Sequence, residues 1–427
     1  MLSIKFIREN TDLIKKDLKK RQDKEKLKWV DEIITIDEEY RKLLVATQKL
    51  RHSRNEITRE ISDLKKAGKD FKEKVQEAKE LPDKIKQQEG VVEELKKKIK
   101  YYQLRLPNIL HESVPYGKDD GENQEVRKNG TIKTQKFELQ PHGELIEKHG
   151  LADFDTAAQI SGKGFYYLLG DLALMELALQ QFAIDFLVKK GFTLVQPPFM
   201  MRREPYEGVT DLEDFKSMMY KVEAEDEELF LIATSEHPIG AMLMDKVIDE
   251  SKLPMKLAGL SACFRKEIGS HGIDERGLFR VHQFNKIEQF VFCKPEDSWK
   301  IHEELIHNAE QLFQKLKLPY RIVNICTGDI GIVASKKYDL EVWMPREKKY
   351  KEAVSCSNCT AYQATRLNIK YQKESEKQNV HTLNSTAIAT GRCLRAIIEN
   401  YQNEDGTIEV PKVLQPYMHG IKVLGKK

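Results

Sequence analysis

The stretch FRVHQFNKIEQFVF (residues 279–292) has the Phe, Val and Ile content of a β-strand, yet its even positions read Arg280, His282, Phe284, Lys286 and Glu288. Residues two apart on a strand share a face. One face would therefore carry two cations, a histidine, an aromatic ring and a carboxylate. Just upstream, FRKE (264–267) puts Arg265 and Glu267 two apart. The intervening IGSHGIDERGLFR contains Gly269, Gly272 and Gly277, so the two segments read as a hairpin. With both charged faces turned the same way, Arg265, Glu267, Arg280, His282, Phe284 and Glu288 converge. Such a surface suits a nucleotide: guanidiniums for phosphates, an aromatic ring for a base, carboxylates for an amine. Phe284 and Glu288 would stand about 13 Å apart, with a base at one end, a small amine or hydroxyl at the other and a phosphate between.

Further strand-like segments occupy 228–234, 257–265, 321–326 and 338–344. Helices are expected near 171–189, with Asp171 as N-cap, and near 236–249, 296–317 and 387–402. Successive strands with long connections indicate a mostly antiparallel sheet flanked by helices, the α+β class. The N-terminal quarter differs. Ile36, Leu43, Leu50, Ile57 and Leu64 recur every seven residues, with Ile33, Tyr40, Thr47, Arg54 and Ile61 as a companion row. A second seam runs through Phe71, Ala78, Ile85, Val92, Ile99 and Leu106, with Leu81, Leu95 and Tyr102 beside it. The turn KKAGKD (65–70) between them makes an antiparallel helical hairpin. Residues 29–66 would extend about 57 Å, enough to project as an arm, and Pro82 should kink or interrupt the second helix.

The formal net charge of +3 is unevenly spread: residues 1–110 hold 29 Lys+Arg against 21 Asp+Glu. Lys65, Lys66, Lys69, Lys72 and Lys74 cluster at the hairpin tip, a pattern that fits phosphate contact better than self-association. No apolar run approaches the roughly 18 residues of a membrane span, and the N-terminus lacks a signal-peptide apolar block, so a cytosolic location is expected. The six cysteines indicate reduced thiols. Only Cys356 and Cys359 have metal-like spacing, and a second ligand pair is missing. P-loop, dinucleotide and serine-nucleophile fingerprints are absent.

The motifs resemble those of class II aminoacyl-tRNA synthetases, specifically the archaeal and eukaryotic kind of seryl-tRNA synthetase. FRKEIGSHGIDERGLFRVHQFNKIEQF (264–290) is similar to motif 2 and TAIATGRCLRAIIENYQ (386–402) to motif 3. The helix followed by GFTLVQPP (191–198) is similar to motif 1. LIATSEHP (231–238), YDLEVWMP (338–345), EAVSCSNCTAYQATR (352–366) and the arm exit LPNILHESVP are also family-like. The resemblance covers nearly the whole chain. It implies an antiparallel-sheet catalytic core with an N-terminal coiled-coil arm: a tRNA-binding domain over 1–110 with its hairpin at about 29–104, a linker over 111–130 and a catalytic domain over 131–427.

By motif position the resemblance implies that Arg265 grips the α-phosphate, Glu267 contacts the nucleotide and Arg392 holds the γ-phosphate, these three being the catalytic set. The ATP site would comprise Arg265, Lys266, Glu267, Arg280, Val281, His282, Gln283, Phe284, Glu352, Ala353, Val354, Ser355 and Arg392, with Phe284 against the adenine. Glu352 and Ser355 would hold Mg²⁺. Serine would be bound by Thr234, Ser235, Glu236, Arg265, Glu288, Asn384 and Thr386. The implied partners are ATP, L-serine, tRNA(Ser), tRNA(Sec) where present, and a second copy of the chain. No zinc and no membrane are implied. A catalytically inactive tRNA-binding paralogue and an activator that loads a carrier protein are the competing readings. The first usually loses the phosphate-gripping arginines and metal carboxylates retained here; the second lacks a long arm.

Overall fold

The computed structural model describes residues 1–212, 217–224, 227–267 and 277–426. Gly269 and Gly272 of the expected hairpin loop lie outside them. The chain divides into two units, Met1–Pro107 and Asn108–Lys427.

In the first unit, short helices α1 (Ile4–Glu9) and α2 (Thr11–Lys20) precede the long α3 (Lys24–Lys66) and α4 (Lys72–Arg105). Asp23 caps α3, accepting a hydrogen bond from the Lys26 N–H, and the helix begins at Lys24, five residues before the start read from the heptads. The helix ends where Gly68 takes φ +65° and the Lys69 N–H donates to the Leu64 carbonyl. Ile57, Leu81 and Ile85 form the buried seam, flanked by Leu50, Ile61 and Ala78. Thr47 supplies a polar rung, its hydroxyl 2.8 Å from the Leu43 carbonyl and 3.2 Å from Gln88 Oε1. Two expectations fail. Arg54 is exposed rather than in the seam. Pro82 does not interrupt α4: it lies on the exposed side, where water can take the carbonyl that loses its N–H partner.

The second unit is built on an eight-stranded sheet. In chain order its strands are β1 (Gln124–Asn129), β2 (Thr193–Val195), β3 (Met255–Phe264), β4 (Gln283–Cys293), β5 (Tyr320–Asn324), β6 (Lys336–Met344), β7 (Lys349–Asn358) and β8 (His381–Ala389). Their spatial order is β1-β5-β6-β7-β8-β4-β3-β2, antiparallel throughout except where β2 meets β3. β1 corrects the reading of 111–130 as a linker: it is an edge strand paired with β5 from Gln124↔Asn324 to Asn129↔Tyr320.

Helices α5 (Gly170–Lys189), α7 (Ser298–Lys315) and α8 (Thr390–Asn400) join the sheet in the main core, where Leu179, Leu305 and Ile397 meet Ile287, Val291, Leu340 and Val354. Asp171 is not the N-cap of α5 but lies in its first turn, after Leu169. The short α6 (Glu236–Ala241) belongs to a second cluster, in which Ile239, Tyr206 and Phe230 meet Phe290 and Phe292. The even row of β4 thus runs from Phe284 through Lys286 and Glu288 to the buried rings of Phe290 and Phe292. The remainder of the expected 236–249 helix contains a strand, Val247–Asp249, and residues 387–389 belong to β8 rather than to α8.

Two of the three bulges among the sheet's described residues break the period-two alternation beside the polar face; the third lies at the β1 edge, between Glu125 and Arg127. Between β4 and β8, Ile287 faces Ile388 while Glu288 faces Thr386, leaving Ala387 extra. Between β6 and β7, Leu340 faces Val354 while Glu341 faces Glu352, leaving Ala353 extra. A bulge lets residues three apart share a face, and both lie where the sheet turns polar.

Candidate active site

A cavity of about 870 Å³, counted to its open mouth, sits on the polar face. Phe284, Lys286 and Glu288 of β4 all line it, as the alternation requires. The bulge at Ala353 brings Glu352 and Ser355 to it together, and the bulge at Ala387 does the same for Thr386 and Ala389.

Arg265 leaves the end of β3 with its guanidinium 5.3 Å from the Phe284 ring centre and Nε 3.4 Å from the Ala233 carbonyl. Arg392, in the first turn of α8, reaches back to β7, its Nη1 2.9 Å from the Glu352 carbonyl and 3.3 Å from the Glu352 carboxylate. Beside it Gly391 passes so close to the Leu278 carbonyl that a Cβ would stand 2.4 Å from its oxygen. Burial pushes the half-exposed Glu352 carboxyl up, but Arg392, then Lys337 and Arg265, outweigh this and hold it at about 2.

The other end carries two more carboxylates. Glu236 opens α6, and its Oε1 accepts hydrogen bonds from Gln363 Nε2 and Asn384 Nδ2, each at 3.0 Å. Burial, then the charge of Glu288, pushes it up to about 7. Glu288 is fully buried with Lys286 Nζ 2.7 Å from Oε2. Burial raises it too, while Lys286 and the Thr386 hydroxyl work in the opposite direction. Thr234 accepts the Glu236 N–H at 3.2 Å, fixing the turn into the helix. One end is therefore a buried acidic cradle, the other is aromatic, and Arg265 stands between them.

Residues 1–110 match the family model for the seryl-tRNA synthetase N-terminal domain, and residues 220–401 match that for the tRNA synthetase class II core domain (G, H, P, S and T). A serine–tRNA ligase from Methanocella arvoryzae is 58% identical over 427 residues, covering 99% of this chain and 100% of its own. The chain belongs to the seryl-tRNA synthetase family. The fold agrees: a crystal structure of seryl-tRNA synthetase from Pyrococcus horikoshii complexed with ATP has TM-score 0.91 and 49% identity, covering 99% of both chains. That of the cytoplasmic serine–tRNA ligase from Naegleria fowleri in complex with AMP has TM-score 0.86 and 39% identity, covering 99% of this chain and 98% of its own.

Of the site residues that the family motifs indicated, Thr234, Glu236, Arg265, Glu267, Val281, Phe284, Glu288, Glu352, Ala353, Ser355, Asn384, Thr386 and Arg392 line the cavity. Six do not. Ser235 is buried beneath it against the Gly259 carbonyl. Val354 points into the main core. Gln283 is exposed. Lys266 lies 5.8 Å from the Tyr220 ring centre. Arg280 is half-exposed and contacts Glu267 at 3.4 Å. His282 stacks on Phe165 at 5.2 Å, and its Nδ1 lies 2.6 Å from the Tyr220 hydroxyl. Its N–H donates to Gly164 and its carbonyl accepts from Arg265. His282 is thus a brace at the strand entry. The expected face starts too early because β4 begins at Gln283.

Seven further cavity residues had no assigned role: Ala233, His237, Leu278, Phe279, Lys286, Ala389 and Gly391. Lys286 was visible in the alternating row. Phe279 lies outside the strand and so outside the alternation, with Arg392 at 5.2 Å and Arg395 at 4.8 Å from its ring centre. Cys356 and Cys359 are buried, the latter with Asn384 Nδ2 3.7 Å from its sulfur. Among the described residues no group of three or more His, Cys, Asp or Glu is arranged to hold a metal, and no helix is long and apolar enough to cross a membrane.

Proposed function

We infer that this chain activates L-serine with ATP and transfers it to tRNA(Ser). The observation that carries this reading is the single cavity in which Arg265 separates the Phe284 ring from the Glu236–Glu288 cradle. The serine ammonium would lie against Glu236, Glu288 and Thr234, with Asn384 and Thr386 beside the hydroxyl. The adenine would lie against Phe284. The serine carboxylate would then face the α-phosphate at Arg265. Its attack forms the mixed anhydride and expels pyrophosphate, and the growing phosphoryl charge is met by guanidiniums that are already in place. Arg392 would hold the far phosphate, close to the start of α8, where helix N–H groups favour anions. The adenylate carbonyl is then attacked by the 3′-terminal ribose hydroxyl of tRNA, breaking the acyl–phosphate bond and releasing AMP, with the hydroxyl proton lost and serine left as the tRNA ester.

The Glu352 carboxylate and Ser355 hydroxyl, both oxygen donors on the cavity wall, fit Mg²⁺. When bound, the ion would neutralise phosphate charge. Selectivity would rest on buried polar groups that lose a partner when alanine enters, whereas threonine would be opposed mainly by size. The lysine-bearing hairpin tip would meet tRNA phosphates. Lys65, Lys66, Lys69 and Lys72 are exposed, but Lys74 is engaged by Glu60 at 3.1 Å and Glu77 at 3.2 Å and contributes least. A homodimer, with one subunit's arm presenting tRNA to the other's site, completes the reading.

The test is amino-acid-dependent ATP–pyrophosphate exchange over all twenty amino acids, followed by addition of tRNA. Serine-specific exchange with transfer to tRNA(Ser) is expected. No exchange with any amino acid would support the inactive paralogue, and exchange without transfer would support carrier loading.

A further inference from the structure

Lys286 is only 6% exposed, and a lysine is seldom so buried without a partner. Its partner is Glu288, two residues along the same face of β4, with Nζ 2.7 Å from Oε2 and side chains 8% and 2% exposed. The pair stands at the acidic end of the cavity, and both members line it. The Lys286 ammonium meets Oε2 and the Thr386 hydroxyl also bonds to the carboxylate, so Glu288 is held from two sides. The pair offsets the buried negative charge at the cavity wall, where both members lie.

The other groups around Glu288 cannot take over that role. Glu236 on α6 repels it, and His237 on the same helix is kept neutral, its carbon-rich surroundings and then Lys286 and Arg265 pushing it down to about 3. The Cys263 and Cys356 thiols are fully buried and held protonated. Arg265 is directed to the Phe284 ring and the Ala233 carbonyl. Lys286 is therefore the cation in contact with Glu288.

We propose that Lys286 is a positioning residue that keeps Glu288 ionised and held at the cavity wall, so that its carboxylate can accept the ammonium of serine. The inference rests on Glu288 receiving that ammonium. Removing the Lys286 charge leaves two buried carboxylates, Glu236 and Glu288, facing each other, and Glu288 then takes up a proton near neutral pH. Serine binding must displace that proton, so the loss depends on pH. A merely structural loss does not.

The experiment measures KM for serine in pyrophosphate exchange at pH 7 and pH 8.5 for wild type, Lys286→Met and Lys286→Arg. Met is expected to raise KM about tenfold at pH 7 and no more than about threefold at pH 8.5, one pKa unit being a factor of ten. Arg is expected to stay within about threefold at both, and KM for ATP to change less than twofold. A Met/wild-type ratio independent of pH would overturn the proposal. A second measurement needs no variant: calorimetry of serine binding to wild-type protein at pH 7 in two buffers of different ionisation heat. Release of about half a proton, from Glu236 alone, is expected; release well above one proton would show Glu288 already protonated beside Lys286 and would overturn the proposal even if Lys286→Met does not fold. Glu288→Gln separates the two layers. If it keeps the wild-type KM for serine, the assignment of Glu288 itself fails; if it loses serine while the Lys286→Met loss is independent of pH, only the role of Lys286 fails.

Discussion

Glu236 should trade stability for substrate recognition, and the size of the trade follows from its surroundings. Burial and the Glu288 charge raise its carboxyl from the ordinary 4.5 to about 7. Between those two values the folded protein holds a proton that the unfolded chain has released, so stability falls as pH rises. A rise of this size amounts to a loss of about 3 kcal/mol at pH 8 and less than about 1 kcal/mol at pH 5. Glu236→Gln removes the titration while keeping the Oε1 acceptor that Gln363 and Asn384 use. The variant should therefore be more stable than wild type by about 3 kcal/mol at pH 8, with little gain at pH 5, while binding serine far more weakly. The assay is urea unfolding of ligand-free protein, followed by Trp299 and Trp343 fluorescence in a Trp29→Phe background so that the second unit is read alone. With an m-value of about 3 kcal/mol/M, the midpoint should rise by about 1 M at pH 8. An equal gain at both pH values, or none at pH 8, would refute the reasoning, because it would mean that Glu236 is already ionised at pH 8 without cost.

The same group sets the pH profile of activation. kcat/KM for serine reports the free enzyme, so it should fall about tenfold between pH 8 and pH 6, whereas kcat/KM for ATP at saturating serine should change little. Phe279→Ala removes the ring beneath Arg392 and Arg395. At about 1–2 kcal/mol per cation–π contact, KM for ATP should rise about five- to thirtyfold, with KM for serine unchanged; equal rises in both would indicate general disruption. Deleting residues 30–104 should leave serine-dependent exchange within about threefold of wild type but lower tRNA charging at least a hundredfold. Charging by the intact chain should also weaken steeply with salt, as phosphate-directed binding does.

The alternation of Phe284, Lys286 and Glu288 was legible because β4 is regular there and buried on its other face, so side-chain direction follows from position alone. The heptads were equally legible, since a hairpin seam is a local pattern, although Arg54 shows that spacing alone does not bury a residue. His282 and Arg280 were misplaced for a backbone reason: the His282 N–H and carbonyl bond to Gly164 and Arg265, which sets its ring direction outside the strand alternation. β1 escaped notice because QEVRKN is an edge strand, largely exposed, with no apolar row to mark it. Phe279 lies on a loop, where no periodicity reports direction.

The bulges are the deeper reason why part of the site could not be read from spacing. Glu352 and Ser355 are three apart, as are Thr386 and Ala389, and on a regular strand the members of each pair would face opposite sides of the sheet. Ala353 and Ala387, small residues without chemistry of their own, are the extra residues that bring both members of each pair to the cavity. One bulge serves the phosphate end and the other the amino-acid end. Between them, β4 runs unbroken against β3, holding Phe284 and Glu288 at a fixed separation. The two ends are thus adjusted independently about a rigid strand. A substitution at either alanine that restores regular pairing should damage one end and spare the other: KM for ATP should move for Ala353 and KM for serine for Ala387. If both constants moved together for either change, the sheet would be responding as one body and the two-bulge account would be wrong.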